Sequence, residues 1–452
     1  MTSGSPVRHI LGFALPMMLG ILFQQFYNMV DTMVVGKWIG VEAIAGVGST
    51  GSINFMIVGF CIGVGTGCAI PVARSFGAKD HDALRKYVAN SIWLSIVLCA
   101  VITVIVSIFC RDILVLMQTP DDIIDYAYDY IFIIFLGLPV LYAYNLLAAI
   151  IRALGDSKTP VYFLMISAFL NVILDLVSVI ILKMGVMGPA IATVISQLVS
   201  AILCYLYIVK KFEILKLSKD DLKPDRSMIF HLASMGLPMG FQYSITAIGS
   251  VILQASVNSI SSAAVAAIAA GSKISAFFVC PFDALGSTMA TYAGQNAGIG
   301  SHSRIKKGVL WAMILGTVYS VFAFVILFLF GDKIALLFLD ADERAILADV
   351  HTFLIIISST YILLLGVNVF RFAIQGMGHS PLAIIAGVLE MIARSLIGFA
   401  FVPHFGYVAA CFASPLAWVF ADIFLVPVLF ICCNKMKRKF ESAHPELEYA
   451  LK

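Results

Sequence analysis

Two carboxylates lie inside apolar stretches of the sequence, where charged side chains are rare. Asp31 is in the segment 11–36 (LGFALPMMLGILFQQFYNMVDTMVVG), and Asp175 follows NVIL in a later one. A carboxylate in a membrane helix costs at least about 2.5–3.5 kcal/mol on insertion scales, so it usually faces a cavity or a partner and marks an ion or proton path. No basic residue lies within the Asp31 segment. We therefore interpret Asp31 as a coupling residue; the structural alternative is an aspartate buried among polar neighbours.

Polar side chains accompany Asp31 along its helix. Asn28 lies three residues before it and Gln24 four residues before that, which puts the three on one helical face, while Tyr27 is one turn before Asp31. We predict that Gln24, Tyr27 and Asn28 line a substrate cavity. Pro16, earlier in the same segment, removes a backbone donor, so we expect it to act as a hinge.

Asp175 has an amide side chain, Asn171, one turn before it. At a rise of about 1.5 Å per residue, the two aspartates reach similar depths in helices that run the same way, so we expect them to meet. Two carboxylates with oxygen-bearing neighbours and no base make either a site for a hard cation such as Na⁺ or a pair that shares a proton. The alternative is that each is held by its own helix. The other side chains expected at this site are Thr193, Tyr130 and Asn145.

The second half of the chain does not repeat these carboxylates. Glu390 and Arg394 stand where Asn171 and Asp175 would recur, and their spacing predicts an ion pair on one helix face, with substrate contact as the alternative. Asp283 is a further charge expected near a substrate cavity or in packing. Lys273 is its partner only if the helix between them bends.

The composition is that of an integral membrane protein. Of 452 residues, 61% are hydrophobic and 12% charged, and the mean hydropathy is +0.99. The net charge of +3 comes from short loops, so we expect no nucleic-acid partner. No phosphate-cradling or hydrolase motif is present, which argues against an enzyme or an ATP-driven pump. The nine cysteines show no metal-ligand spacing, and we expect no cofactor and no metal beyond a coupling Na⁺.

Apolar runs predict twelve membrane helices in an all-α fold. Leu-Pro-Met at 15–17 recurs at 237–239, and Gly185 corresponds to Gly406, so the chain repeats itself after about 220 residues. Six spans per repeat give both halves the same orientation, as in two-lobed transporters. The predicted parts are an N-terminal six-helix lobe at 1–211, an inter-lobe loop at 212–228, a C-terminal six-helix lobe at 229–435 and a tail at 436–452.

Basic residues set the predicted orientation. They concentrate in loops at 74–86, 152–158, 210–226, 304–307 and 435–439, whereas the intervening loops at 112–125 and 332–343 are acidic. Because basic loops stay on the cytosolic side, we expect both termini in the cytosol of a multi-pass protein of the bacterial inner membrane. We also expect a monomer in contact with membrane lipid.

Several stretches together resemble the multidrug and toxic compound extrusion (MATE) family. They are LPMMLG…QQFYNMVDTMVVG, EAIAGVGSTGSI, the glycine-rich second span ending in ARSFGAKD, RALGDSKTP, and NVILD followed by GPAIAT. The resemblance covers essentially the whole chain. It implies two six-helix lobes and export of organic cations or other amphipathic compounds in exchange for Na⁺ or H⁺.

Within that family, Asp31, Asn171, Asp175 and Thr193 resemble the first-lobe cation site of the bacterial and archaeal branch called DinF-like. The sequence departs from a Na⁺-dependent bacterial subgroup, which has acidic residues in the seventh and tenth spans. Here those spans offer Gln242 or Gln254 and Asn368, and we assign Gln242 to the substrate cavity. The alternative function is a flippase for a lipid-linked glycan or lipid, which would need a strongly cationic cavity. Lys273 and Arg394 are the basic residues that we place inside spans.

Overall fold

A computed structural model describes residues 1–336 and 344–443, and every regular element in those ranges is a helix. The acidic residues at 337–343 and the end of the predicted tail, 444–452, lie outside the described residues. The helices of the first half are α1 (Pro6–Trp38), α2 (Val41–Ser49), α3 (Gly51–Ala78), α4 (His81–Ile108), α5 (Cys110–Leu116), α6 (Ile124–Leu136), α7 (Leu138–Ala153), α8 (Lys158–Leu176) and α9 (Met187–Lys211). Those of the second half are α10 (Arg226–Asn258), α11 (Ser262–Gly298), α12 (His302–Ala335), α13 (Arg344–Ser359), α14 (Tyr361–Gly376), α15 (Ser380–Leu396), α16 (Val402–Cys411) and α17 (Ala413–Ala443).

The predicted all-α membrane fold is confirmed. In the described ranges, ten stretches of helix are long and apolar enough to cross a membrane, and two bent pairs raise the number to twelve. The bent pairs are α6–α7, with an angle of 50°, and α13–α14, with an angle of 47°. Their breaks fall at Gly137 and Thr360, which are about 220 residues apart, the period of the predicted repeat.

The backbone repeats in finer detail as well. A π-helical turn follows α8 at Val177–Ile181, and another follows α15 at Ile397–Phe401. Each turn precedes a glycine with positive φ: Gly185 has φ 59° and Gly406 has φ 60°. The ψ of −138° at Gly406 is not helical, so α16 consists of two segments that meet there. The last helix, α17, begins at Ala413.

The helices form two compact units whose limits fall inside long helices. One unit is Leu19–Ser244, and the other combines Met1–Met18 with the described residues from Ile245 onward. The first limit lies in α1, two residues after Pro16, and the second lies in α10. Both helices run on as α-helix through an internal proline. This division differs from the lobe limits that we predicted at 211 and 229, which stay a prediction about the transporting lobes.

Glycines in α3 allow α10 to approach closely within the Leu19–Ser244 unit. A Cβ atom on Gly63 would lie 2.5 Å from the carbonyl oxygen of Met239, and one on Gly67 would lie 2.6 Å from the Cα of Gly236. Both contacts are with backbone, which cannot move aside as a flexible side chain does. Small residues at such crossings are typical of membrane helix packing.

We expect Gly63→Ala to lower the free energy of unfolding by about 1–3 kcal/mol, because the added methyl group pushes α3 and α10 apart. Thermal unfolding of the purified protein in detergent measures this. Gly65→Ala is the matched control, since a Cβ there would lie 3.5 Å from the nearest atom, an ordinary contact. Equal melting temperatures for the two variants would contradict the prediction.

The loop between α9 and α10 is bonded to α4. Asp221 in this loop accepts hydrogen bonds from the backbone N–H and the hydroxyl of Ser218, at 2.9 and 2.7 Å, and its carboxylate lies 3.4 Å from Arg85 Nε on α4. Trp93 on α4 donates to the carbonyl of Leu222 at 2.9 Å. These bonds from Ser218 and the nearby Arg85 guanidinium hold the pKa of Asp221 below its usual value.

A depressed pKa means that the Asp221 carboxylate stabilises the docked loop above its unfolded pKa of about 3.9, and that this stabilisation is lost as the pH falls through the lower folded-state value. We therefore expect Asp221→Asn to speed hydrogen exchange of the loop amides at pH 7. The difference from the native protein should shrink as the pH falls below about 3.9 and should vanish below the folded-state pKa of Asp221. Asp220→Asn is the control, because Asp220 is exposed and its ion pair is with Lys223, three residues later in the same loop. A faster exchange in the control would refute the assignment.

Candidate functional site

The two aspartates predicted as a pair lie together in the Leu19–Ser244 unit. Asp31 of α1 and Asp175 of α8 are within hydrogen-bonding reach of each other through their side chains. Asp175 is fully buried and Asp31 is half-buried. Among the described residues, no donor bonds to Asp31 Oδ1 or to either carboxylate oxygen of Asp175. An ionised carboxylate only accepts hydrogen bonds, so two that face each other need a proton or a cation between them.

The backbone changes type immediately after Asp175. Its carbonyl accepts a hydrogen bond from the hydroxyl of Ser178 at 3.0 Å, inside the π-helical turn that follows α8. The start of α9 packs against this turn, and a Cβ on Gly188 would lie 2.6 Å from Ser178 Oγ. Single π-helical turns within helices are frequent at functional sites, because they turn nearby side chains away from the regular helical position.

Amide and hydroxyl groups surround the two aspartates. Asn171 Nδ2 donates to Thr193 Oγ1 at 3.4 Å, which joins α8 to α9. The hydroxyl of Tyr27 on α1 lies close to the side chains of Gln24 and Gln197. The predicted Asn171 and Thr193 therefore lie in contact, and Tyr27 and Gln24 belong to the same network.

Tyr130 on α6 is buried and lies close enough to both aspartates to interact with them electrostatically. Asn145 instead donates its amide to the carbonyl of Leu141 in its own helix at 2.8 Å. Asn28 is exposed. Tyr130 thus joins the aspartates as expected, whereas the roles of Asn145 and Asn28 stay predictions.

A small cleft opens beside this network within the same unit. It holds at most about 190 Å³ of space, less than the roughly 300–1,000 Å³ of a drug-sized site. The lining residues are Tyr27, Leu164, Ser167, Ala168, Asn171, Thr193, Ser196 and Gln197. The cleft therefore suits an ion or a few water molecules better than a drug.

Buried oxygen atoms without partners are concentrated here. In the described part of the chain, Asn171 Oδ1, Ser196 Oγ and Gln197 Oε1 have no hydrogen-bond partner, and neither do Asp31 Oδ1 and the two carboxylate oxygens of Asp175. Oxygen-rich sites of this kind suit hard cations or protons. Ser196 and Gln197 were not predicted from the sequence, although their spacing from Thr193 places all three on one face of α9.

The predicted acidic residues of the second half lie in the other unit. Asp283 of α11 is half-buried and accepts a hydrogen bond from Asn368 on α14 at 3.4 Å. Glu390 of α15 is buried and bonds to two guanidinium groups: that of Arg371 on α14 and, at 3.5 Å, that of Arg394. The predicted Glu390–Arg394 ion pair is therefore present. Substrate contact by Asp283 or Glu390 stays a prediction.

Two members of this charged cluster were not found from the sequence. The basic residues predicted inside spans, Lys273 and Arg394, do not include Arg371, but its side chain is buried beside Glu390. Asp422 of α17 lies near Arg371 and Glu390, and a Cβ on Gly366 would lie 2.7 Å from its Oδ2 atom.

The structure describes no ion pair between Lys273 and Asp283. Gln242, on α10 of the Leu19–Ser244 unit, is buried, and its cavity role stays a prediction.

Comparisons with known proteins agree with this architecture. The family model described as MatE matches residues 16–177 and 238–401, once in each predicted repeat. The probable multidrug resistance protein YoeA of Bacillus subtilis is 30% identical over 360 residues, which cover 78% of this chain and 77% of that protein. The FAD transporter of Shewanella oneidensis is 24% identical over 380 residues, or 83% of each chain. A crystal structure of a MATE protein in complex with MaL6 has a TM-score of 0.89 at 21% identity, covering 96% of this chain and 98% of that one.

Proposed function

Because this chain belongs to the MatE family of membrane transporters, we propose that it exports amphipathic or cationic compounds in exchange for H⁺ or Na⁺. It is a multi-pass membrane transporter and not an enzyme. The observation that carries the proposal is the Asp31–Asp175 pair, two carboxyl groups that face each other with no donor from the described residues. Such a pair binds a proton or a small cation, which is what an antiporter needs for coupling.

The coupling ion binds at the aspartates, and Asn171, Thr193 and Tyr130 complete its surroundings. Binding changes the relative stability of two states of the transporter, because the ion has a higher affinity for one of them. Pro16 lies in α1 ahead of Asp31, where the missing backbone donor makes bending easier. Bending of α1 there releases the exported compound outward.

The site's composition supports H⁺ and Na⁺ alike. A shared proton removes the repulsion between two carboxylates without further ligands. Sodium would use carboxylate, amide and hydroxyl oxygens, several of which lack partners in the described residues. No group of three or more His, Cys, Asp or Glu residues that could hold a metal occurs in the ranges 1–336 and 344–443.

Efflux of a fluorescent cation from everted vesicles tests the function, with the proton and sodium gradients imposed separately. Export driven by the pH gradient without Na⁺ would identify a proton-coupled pair, and a strict requirement for Na⁺ would identify a cation site. Absence of export under either gradient would refute the proposal and favour the flippase. Of the basic residues inside spans, Arg371 and Arg394 are bound to Glu390, so apart from Lys273 little positive charge remains for a pyrophosphate.

We further propose that the protein acts as a monomer in the bacterial inner membrane with both termini in the cytosol. The basic loops support this orientation. Labelling of single cysteines placed in the loops at 74–86 and 112–125 tests it. If a membrane-impermeant reagent applied from the cytosolic side labels only the loop at 112–125, the orientation is the opposite of the one proposed.

A further inference from the structure

Lys273 is a basic residue on an exposed face of a membrane-spanning helix. It lies about 16 Å along α11 from the first residue and about 38 Å from the last, at 1.5 Å per residue. A hydrocarbon core of about 30 Å centred on the midpoint of α11 therefore includes it. Its side chain is exposed, and none of the described carboxylates forms an ion pair with it.

The face of α11 that carries Lys273 differs from a surface that contacts lipid. Its exposed neighbours are the small residues Ala269 and Ser272, Phe277 one turn further on is only partly exposed, and none of the strongly exposed large apolar side chains lies on α11. The adjacent helix α12 of the same unit exposes large apolar residues along its whole length, as lipid contact requires. Its exposed set includes Leu310, Val318, Val321, Phe322, Val325 and Leu329.

The other sides of α11 are covered within its own unit, where it packs against α12, α13 and α14. Ser275 bonds to the hydroxyl of Tyr361 at 2.9 Å, and a Cβ on Gly271 would lie 2.4 Å from the ring of Phe353. These contacts fix the rotation of α11 about its axis. Lys273 therefore cannot turn into the protein interior without breaking them.

An ionisable residue within a membrane span usually faces the bundle interior or a water-filled space and marks a substrate or ion path. The ammonium group carries three donors and a compact positive charge, and the hydroxyl of Ser272 adds a donor next to it. The chemistry that such a site recognises is an anionic oxygen group. The small neighbours leave room for it.

We propose that Lys273 binds the anionic group, a carboxylate, sulfonate or phosphate, of an amphipathic compound that the protein transports. This inference rests on the export function proposed above and specifies the substrate class. The protein then accepts zwitterionic or anionic amphiphiles in addition to cations.

A matched pair of dyes tests the proposal. Rhodamine 19 carries a free carboxylate, and rhodamine 6G is its ethyl ester, so the two differ in that charge and in one ethyl group. We expect Lys273→Gln to weaken binding of rhodamine 19 to the purified protein in phosphatidylcholine nanodiscs by about tenfold or more. Binding of rhodamine 6G should stay within about twofold, well under the tenfold that corresponds to 1.4 kcal/mol. Fluorescence polarisation measures both dyes.

Two variants serve as controls. Lys273→Arg keeps the positive charge and should retain rhodamine 19 binding. Ser272→Ala changes the adjacent exposed residue and should have a smaller effect than Lys273→Gln. Thermal unfolding in the same nanodiscs verifies that each variant is folded.

Three results would overturn the proposal: no binding of rhodamine 19 to the native protein, an equal loss of both dyes in Lys273→Gln, or no loss of either. Nanodiscs that contain phosphatidylglycerol test for a lipid headgroup. If that lipid displaces rhodamine 19 from the native protein in a manner that depends on Lys273, the lysine binds a lipid phosphate and the substrate assignment is wrong.

Vesicle transport separates this inference from the export function. Rhodamine 19 binding that depends on Lys273, without export of either dye, would support the anion site and refute export. Export of rhodamine 6G together with rhodamine 19 binding that does not depend on Lys273 would support export and refute the anion site.

Discussion

Asp175→Asn is expected to reduce gradient-driven export to the background of vesicles that lack the protein. The variant keeps the shape of the side chain but removes one of the two carboxyl groups that bind the ion. Its amide donates a hydrogen bond to Asp31, which now has none at Oδ1 among the described residues. The two side chains would then stay bonded to each other as if the ion were always bound. A site that cannot release its ion cannot couple ion movement to export.

The same reasoning gives an equal loss for Asp31→Asn. Since the two aspartates act as one site, the double variant should be no worse than either single one, a departure from additivity that is expected of interacting groups. Export by both single variants would refute the role of the pair. Losses that simply multiply in the double variant would show that the two aspartates work separately.

The measurement is initial efflux in everted vesicles, normalised to the amount of folded protein. Asp129→Asn is the matched control, because it makes the same chemical change at an exposed aspartate next to Tyr130 on α6. It should export at the native rate. Melting temperatures of Asp175→Asn at or above the native value would show that the loss of export is not a loss of fold, since the amide supplies a missing donor.

The sequence was sufficient to predict the helices, because uninterrupted apolar runs leave no other element able to satisfy its backbone in lipid. The bends at Gly137 and Thr360 were not predicted. Both spans read as continuous apolar runs, and the angle between two short helices depends on the neighbours that pack against them. A Cβ on Gly137, for example, would lie 2.3 Å from Val194 of α9, a contact that the local sequence does not reveal.

The coupling site could be predicted in part because charge inside an apolar helix is conspicuous. Asp31 and Asp175 stand out on composition alone, and helical spacing adds Asn171 to them. Ser196 and Gln197 were missed because hydroxyl and amide groups are common in membrane helices, and their face was not compared with that of Thr193. Their contribution becomes visible only when the oxygen atoms without partners are found together.

The cluster around Glu390 was harder to predict because it joins three helices. The spacing of Glu390 and Arg394 within α15 predicted one ion pair. Arg371 comes from α14 and Asp422 from α17, and no spacing rule relates residues on different helices. Arg371 also lies near the end of its span, where basic residues are usually attributed to the cytosolic surface.

Glu390→Gln is expected to lower the free energy of unfolding by about 3–5 kcal/mol, the usual cost of removing one partner of a buried ion pair. Glu390 and its two partners each have side chains less than one-tenth exposed. The glutamine would leave two buried guanidinium groups without their shared carboxylate. Arg371 Nε and Arg394 Nη1 already lack partners in the described residues, so the remaining structure offers little compensation.

Thermal unfolding in detergent measures this loss, and Asp220→Asn is the control, because its exposed pair with Lys223 should contribute at most about 1 kcal/mol. Replacing Glu390, Arg371 and Arg394 together with methionine should restore most of the stability, since apolar residues of similar volume can replace buried ion pairs at little cost. The triple variant also separates the two roles considered for Glu390. Native export by a stable triple variant would leave Glu390 a purely structural residue, and loss of export by a stable triple variant would support its predicted contact with substrate.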